Sequence, residues 1–220
     1  MRPSLPQNLY LLCYTVDDEK FELTNLQGRG QLLRAGALTQ LALDGLLNAE
    51  GGKVVRRAAT PPGDLFLAAV WRDLPTEKPK RWLQFVHNKA HTAEKPVREQ
   101  LAGTGAITVH HEKRLGLVPV DRVVVNEPQQ VRALQERVRD AVLLGVDPAS
   151  VPVDELTMAV FAAEVEVSTV FTVFTGKERR EHKPTLKKLA AQYDGIVPGL
   201  RAALRDSYLS SRAVGGGWGS

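Results

Sequence analysis

Apolar residues recur at helical spacing through much of this chain. Between residues 32 and 47, they repeat at Leu33, Ala37, Leu41 and neighbouring positions. This spacing predicts a helix, and Gly45 lies close to its expected end.

The clearest amphipathic pattern begins at Asn126 and Pro128, which are typical of a helix start. Its apolar stripe consists of Val131, Leu134, Val138 and Ala141 or Val142. Because the opposite face is charged and Gly145 follows, we expect a surface helix with one buried side.

The segment from Asp154 to Phe174 is apolar on most sides, which predicts a central buried helix. Residues 165–174 are rich in β-branched side chains and could equally form a strand. Glu164 and Glu166 make the segment too polar for an unassisted membrane span. Any membrane contact is therefore expected to be peripheral.

Shorter segments complete the order along the chain. They are an apolar run with an acidic turn (9–23), a helix from Asp64 to Trp71, a helix after Pro79 carrying Trp82, Phe85 and Val86, a helix over 95–107, a hairpin over 112–125, and helices ending near Gly195 and Arg212. The predicted fold is mainly α, with a central buried helix, surrounding amphipathic helices and one protruding β-hairpin. We expect one domain over 1–212 and a flexible Gly-rich tail over 213–220.

Charge and cysteine content change this picture little. Lysine and arginine number 29 against 25 acidic residues, which gives a net charge of +4. This balance favours anionic partners weakly and is also typical of an ordinary soluble surface. The lone Cys13 cannot form an intramolecular disulfide, and the start of the chain lacks a full signal peptide, so a cytoplasmic location is expected.

Catalytic and metal-binding patterns are weak. The sequence contains no GxSxG elbow, Walker loop or CxxC pair, and Gly28-Arg29-Gly30 lacks the third glycine of a dinucleotide loop. His87 and His91 have the spacing of one helical face, but the glutamate of zinc proteases is missing. We therefore assign no catalytic residue, metal or cofactor, and an unrecognised enzyme stays as an alternative.

Two groups of residues suggest binding. Arg34 lies on one predicted helix, and Lys95 and Arg98 lie three apart on another, so these cations either bind phosphate or are simply solvated. The second group is the apolar set of the hairpin: Leu115, Leu117, Val118 and Val120. Beside Lys113 and Arg114, such a set is either core or an interface or membrane wedge.

Four motifs in this order resemble the Golgi phosphoprotein 3 family, in its shorter form common in actinobacteria. They are LYLLCYTVDDEKFEL, LLRAGALTQLALDGLL, VREQLAGTGAI followed by EKRLGLVPVDRVVV, and VRALQERVRDAVLLG. The resemblance spans roughly Ser4 to Arg212.

The resemblance implies a function as well as a fold. Eukaryotic members bind phosphatidylinositol 4-phosphate through a tryptophan and arginines near the hairpin. The arginine positions fall on Arg34, Lys95 and Arg98, whereas the tryptophan position falls near Asn25 and is lost. The chain is thus expected to be a peripheral membrane protein, not an enzyme, that binds an anionic lipid headgroup: phosphatidylinositol 4-phosphate or a bacterial equivalent. The hairpin is a candidate for membrane contact or for a homo-oligomer contact.

A nucleic-acid-binding protein is the main alternative. A helix over 95–102 followed by a hairpin imitates a winged helix, and the chain is basic. However, the would-be wing is apolar where phosphate contacts require lysine and arginine, so no nucleic acid is expected as a partner.

Overall fold

The computed structural model of this protein describes residues 3–21, 26–57, 59–114, 118–171 and 176–215. The helices are α1 (Leu5–Leu12), α2 (Leu26–Leu43), α3 (Leu65–Asp73), α4 (Trp82–His87), α5 (Glu94–Gly103), α6 (Pro128–Leu143), α7 (Val153–Glu164), α8 (Ser168–Phe171), α9 (Gly176–Glu181), α10 (Lys183–Ile196) and α11 (Leu200–Gly215). The strands are β1 (Tyr14–Thr15), β2 (Lys20–Phe21), β3 (Leu47–Glu50), β4 (Lys53–Arg56), β5 (Lys80–Arg81), β6 (Ile107–Arg114) and β7 (Val118–Val125). The mainly α prediction is therefore confirmed.

Helix α2 organises the N-terminal half of the fold. It packs against α1, α3, α4, α5 and α11. Leu32, Leu33, Leu38 and Leu41 are fully buried in this core. The helix begins earlier than its apolar repeat predicted, and it ends just before Gly45, whose φ of 70° is a left-handed conformation that favours glycine.

The predicted helix over 154–174 is interrupted. Helix α7 ends at Glu164, and Glu166 has a positive φ of 53° before α8 begins. The α7 part is buried over all of Leu156–Ala162, as the apolar pattern predicted. The strand alternative concerned residues 165–174. The described part of this segment contains the helix α8, and residues 172–175 lie outside the described part of the chain.

Over the described residues, three small antiparallel sheets accompany the helices where the sequence predicted one hairpin. They are β1–β2, β3–β4–β5 and β6–β7. Gly51 and Gly52, both with positive φ, form the turn between β3 and β4. Strand β5 has only two residues, and both are exposed cations. It therefore lacks the alternation of apolar and polar residues that predicts a strand from sequence.

The β6–β7 hairpin is longer than predicted and begins at Ile107. Its register runs from Ile107 opposite Val125 to Arg114 opposite Val118. Ile107 and Val125 are buried at its root, whereas His110 and Arg122 further out are exposed. The hairpin therefore starts in the core and leaves it.

The cap of α3 was predicted correctly, but Pro79 does not open α4, which begins at Trp82 after β5. The Asp64 side chain accepts a hydrogen bond from the Leu67 N–H at 2.8 Å and caps α3. Trp82, Phe85 and Val86 are buried in the core, as predicted.

Candidate functional site

Arg34 is almost completely buried on α2, with 4% of its side chain exposed. Its Nε donates to the Phe85 carbonyl oxygen of α4 at 2.5 Å, and its Nη2 lies 3.1 Å from Asp73 Oδ2 at the end of α3. Lys89 Nζ contacts the other oxygen of Asp73 at 2.6 Å. Burial lowers the pKa of the Arg34 guanidinium, and its bond to Asp73 opposes that effect. Arg34 therefore ties three helices together from inside the protein.

Lys95 and Arg98 lie together on α5, beside the middle of the β6–β7 hairpin. Arg98 Nη2 is 2.7 Å from Asp121 Oδ2, and His111 Nδ1 is 2.7 Å from Asp121 Oδ1. The hydrogen bond with His111 lowers the pKa of the Asp121 carboxyl, aided by the charges of Arg98 and Lys95 and opposed by desolvation. Lys95 is 75% exposed, with Glu99 3.9 Å away. We call Lys95, Arg98, His111 and Asp121 the α5–hairpin corner. It contains two of the three predicted basic residues.

The acidic turn between β1 and β2 is tied to the elements beside this corner. Glu19 Oε2 lies 3.0 Å from Arg122 Nη2 on β7, and Asp17 Oδ1 lies 2.6 Å from Arg132 Nη2 on α6. The hydrogen bond from Arg132 lowers the pKa of Asp17. These pairs are exposed and screened by salt, so they orient the turn more than they stabilise it.

Arg29 is a buried cation that the sequence analysis did not assign to a site. Its Nη2 lies 2.7 Å from Glu94 Oε2 at the start of α5, and 6% of its side chain is exposed. The guanidinium carbon lies 4.5 Å from the Phe21 ring centroid and 5.9 Å from that of Tyr10. Its Nε and Nη1 have no hydrogen-bond partner among the described residues. Arg29 thus fixes the start of the helix that carries Lys95 and Arg98.

The glycines on either side of Arg29 were the sequence signal that α2 is closely packed here. A Cβ at Gly30 would lie 2.0 Å from the Ala90 carbonyl oxygen. A Cβ at Gly28 would lie 2.9 Å from the Tyr208 ring. The Gly-Arg-Gly sequence therefore serves close helix packing, which a search for phosphate-binding loops does not detect.

The predicted apolar contacts of the hairpin fall largely outside the described structure. Leu115 and Leu117 lie outside the described residues. Val118 and Val120 belong to β7, where the backbone register pairs them with Arg114 and Glu112, and their side chains are not described. A contact role for these four residues stays a prediction.

The two histidines with helical spacing do not share a helix. His87 ends α4, Lys89 has a φ of 60°, and His91 lies in a short 3-10 turn over Ala90–Thr92. Within the described ranges, no cluster of three or more His, Cys, Asp or Glu residues could hold a metal ion. In the same part of the chain, no helix has the length and apolar character needed to cross a membrane.

Comparison with known protein families gives one match that covers nearly the whole chain. The family model described as Golgi phosphoprotein 3 (GPP34) matches residues 5–207. No curated protein matches the chain significantly. The family match spans α1 to α11 and includes the α5–hairpin corner. The chain therefore belongs to the Golgi phosphoprotein 3 family.

Proposed function

We propose that this protein associates peripherally with membranes and binds anionic phospholipid headgroups at the α5–hairpin corner. The observation that carries the proposal is the position of Lys95 and Arg98 on α5, next to the middle of a hairpin that leaves the core. Membership of the Golgi phosphoprotein 3 family supports the same class of ligand.

Asp121 acts in this proposal as an internal stand-in for the headgroup. Its carboxylate pairs with the Arg98 guanidinium in the absence of lipid. The oxygens of a phosphate can accept the same hydrogen bonds from Arg98 and carry more negative charge. A phosphomonoester therefore competes for the Arg98 guanidinium while the exposed Lys95 supplies a second cation. The exchange replaces one anion by another and leaves Arg98 paired in both states.

Charge at this corner accounts for only part of a stable membrane contact. A basic residue near an anionic surface contributes about 1 kcal/mol, so Lys95 and Arg98 together supply about 2 kcal/mol, or roughly 30-fold in affinity. Burial of an apolar side chain at the hairpin tip adds about 1.5–3 kcal/mol when complete. We propose that Leu115 and Leu117 insert into the acyl boundary and supply most of the remaining affinity.

By resemblance, the headgroup is phosphatidylinositol 4-phosphate or a bacterial equivalent. The family tryptophan is replaced near Asn25, so the proposal rests on recognition of the phosphate. Arg34 belongs to the family's headgroup set, but here it is bonded to Asp73 and the Phe85 carbonyl. We therefore expect Arg34→Ala to lower the melting temperature.

Liposome flotation tests the proposal directly. Phosphatidylcholine vesicles carry phosphatidylinositol, its 4-phosphate, phosphatidylglycerol or cardiolipin in turn. Lys95→Gln/Arg98→Gln is expected to weaken binding by about 30-fold. The matched control, Lys183→Gln/Lys188→Gln, removes two exposed cations of α10 and is expected to bind like the wild type.

Equal losses in the two double variants, or no flotation of the wild type with any anionic lipid, would contradict the proposal. A gel shift with random duplex DNA is run beside the flotation assay. DNA binding without flotation would instead favour the nucleic-acid alternative.

A further inference from the structure

A basic groove lies where β4, β5 and α4 meet α11. Its volume is about 570 Å³. The lining includes Lys53, Lys80, Arg81, Leu83, His87 and Ser210. No carboxylate is among the described residues that line it. The groove shares no lining residue with the α5–hairpin corner.

The strand register pairs two of the groove cations, Lys53 and Arg81. Lys53 on β4 lies directly opposite Arg81 on β5, and Val54 lies opposite Lys80. Like charges directly opposite each other in an antiparallel pair destabilise a sheet. Within the described chain, no carboxylate oxygen lies within 4.0 Å of a side-chain nitrogen of these three cations. Even Glu50, opposite Lys53 across the β3–β4 turn, forms no such ion pair.

The backbone that carries the cations is held in place by close contacts of Trp82 and Gly199. The Trp82 indole N–H, directly after β5, donates to the Pro198 carbonyl at 3.0 Å, and the Trp82 side chain is buried. Gly199 packs so closely on the β3–β4 turn that an added Cβ would lie 3.1 Å from Gly52 Cα. These contacts hold β5 and the start of α4 against the chain that leads into α11.

His87 adds a further nitrogen to the groove. Its Nδ1 lies 3.0 Å from the Oγ of the fully buried Ser207. When the Ser207 hydroxyl donates to Nδ1, the ring proton is on Nε2, which then serves as a donor. The serine thus fixes the orientation of the ring while one nitrogen stays available.

We infer that this groove is a second anion site, which binds an organic ligand carrying a phosphomonoester. A phosphomonoester carries a charge of about −1.5 to −2 at neutral pH, which three clustered cations can balance. The volume is within the range of about 300–1,000 Å³ that is common for small-molecule sites. Leu83, 40% exposed, and Pro79 give the groove an apolar wall for the body of the ligand.

Two sources of the phosphomonoester are separated by two assays at constant ionic strength. Isothermal titration with glucose 6-phosphate, and with glucose as the uncharged probe, tests a soluble ligand. Flotation with phosphatidylcholine vesicles, with or without phosphatidic acid, tests a lipid headgroup. Lys80→Gln/Arg81→Gln removes two groove cations, and Lys53→Gln is a second, milder variant. The matched control is Arg72→Gln/Lys78→Gln, two exposed cations outside the groove lining.

Loss of two charged hydrogen-bond donors is expected to weaken binding by at least about a hundredfold. If the groove variants bind glucose 6-phosphate more weakly than the wild type, the ligand is a soluble phosphomonoester. If they differ from the wild type only in flotation with phosphatidic acid, the ligand is a lipid headgroup. Equal affinities of the wild type and both groove variants, equal losses in the control, or no binding of either probe would overturn the inference. Circular dichroism and melting temperatures check that each variant is folded.

The outcome is separable from the headgroup proposal for the α5–hairpin corner. The α10 control Lys183→Gln/Lys188→Gln, outside both sites, is expected to bind glucose 6-phosphate like the wild type. Failure of the groove inference would leave the flotation difference between Lys95→Gln/Arg98→Gln and this control unchanged.

Discussion

Replacement of Gly30 by alanine tests the close packing beneath α5. The new Cβ would lie 2.0 Å from the Ala90 carbonyl oxygen and 2.7 Å from the Ala90 carbonyl carbon. Both are backbone atoms of the 3-10 turn that leads into α5, so no side-chain rotation can relieve the overlap. The turn or α2 itself must shift.

Two opposing effects decide whether Gly30→Ala raises or lowers the free energy of unfolding. Alanine is favoured over glycine inside a helix by about 1 kcal/mol. Overpacking a fixed site costs about 1–3 kcal/mol and occasionally more, and a rigid backbone contact belongs at the upper end of that range. We therefore expect Gly30→Ala to destabilise the protein by about 2 kcal/mol, which lowers the melting temperature by about 4–8 °C for a chain of this size.

Gly103→Ala is the matched control, because no atom of the described residues outside the local helix lies within 4 Å of a Cβ at this last residue of α5. Its melting temperature is expected to equal or exceed that of the wild type. Both variants are compared by thermal and urea denaturation followed by circular dichroism. A Gly30→Ala variant as stable as Gly103→Ala would refute the packing argument.

Three further predictions concern the site and the core. Asp121→Asn removes the internal competitor for Arg98, so flotation with anionic vesicles should strengthen by about fivefold at pH 7, where the lowered pKa of Asp121 keeps the wild-type carboxylate charged. Leu115→Ser/Leu117→Ser is expected to weaken flotation more than Lys95→Gln/Arg98→Gln does; a folded Ser variant that floats like the wild type would assign the tip to a subunit contact, which size-exclusion chromatography with light scattering would detect. Burial raises the pKa of the Cys13 thiol to about 12, so the native protein should not react with a thiol reagent at pH 8 on a timescale at which the urea-unfolded protein reacts fully.

Helix periodicity and caps were readable from sequence because they depend on neighbours within one or two turns. The stripe of α6 and the Asp64 cap of α3 are both of this kind. Strand β5 was missed because its two cations pair only with β4, a partner more than twenty residues away in sequence. The break after α7 was missed because Glu166 adopts a left-handed conformation that its residue type does not announce.

The candidate site was predictable in part for the same reason. Lys95 and Arg98 share a helix face, so their proximity follows from spacing alone. The burial of Arg34 depends on Asp73, 39 residues further along, and on the Phe85 carbonyl. The groove around Lys53 and Arg81 required the sheet register to be known, since no sequence motif joins these positions.

The ion pair between the buried Arg29 and the half-buried Glu94 has a consequence for how α5 moves. Removal of one partner of a buried ion pair costs about 3–5 kcal/mol, because the other charge is left unpaired. The start of α5 is therefore expected to detach from α2 only in rare openings, and amide hydrogens of the two helices should exchange as one cooperative unit. A helix held in this way is preorganised, so α5 loses little conformational entropy when a ligand binds to it. Hydrogen exchange should consequently show similar protection of α5 with and without lipid, and new protection should be confined to the hairpin.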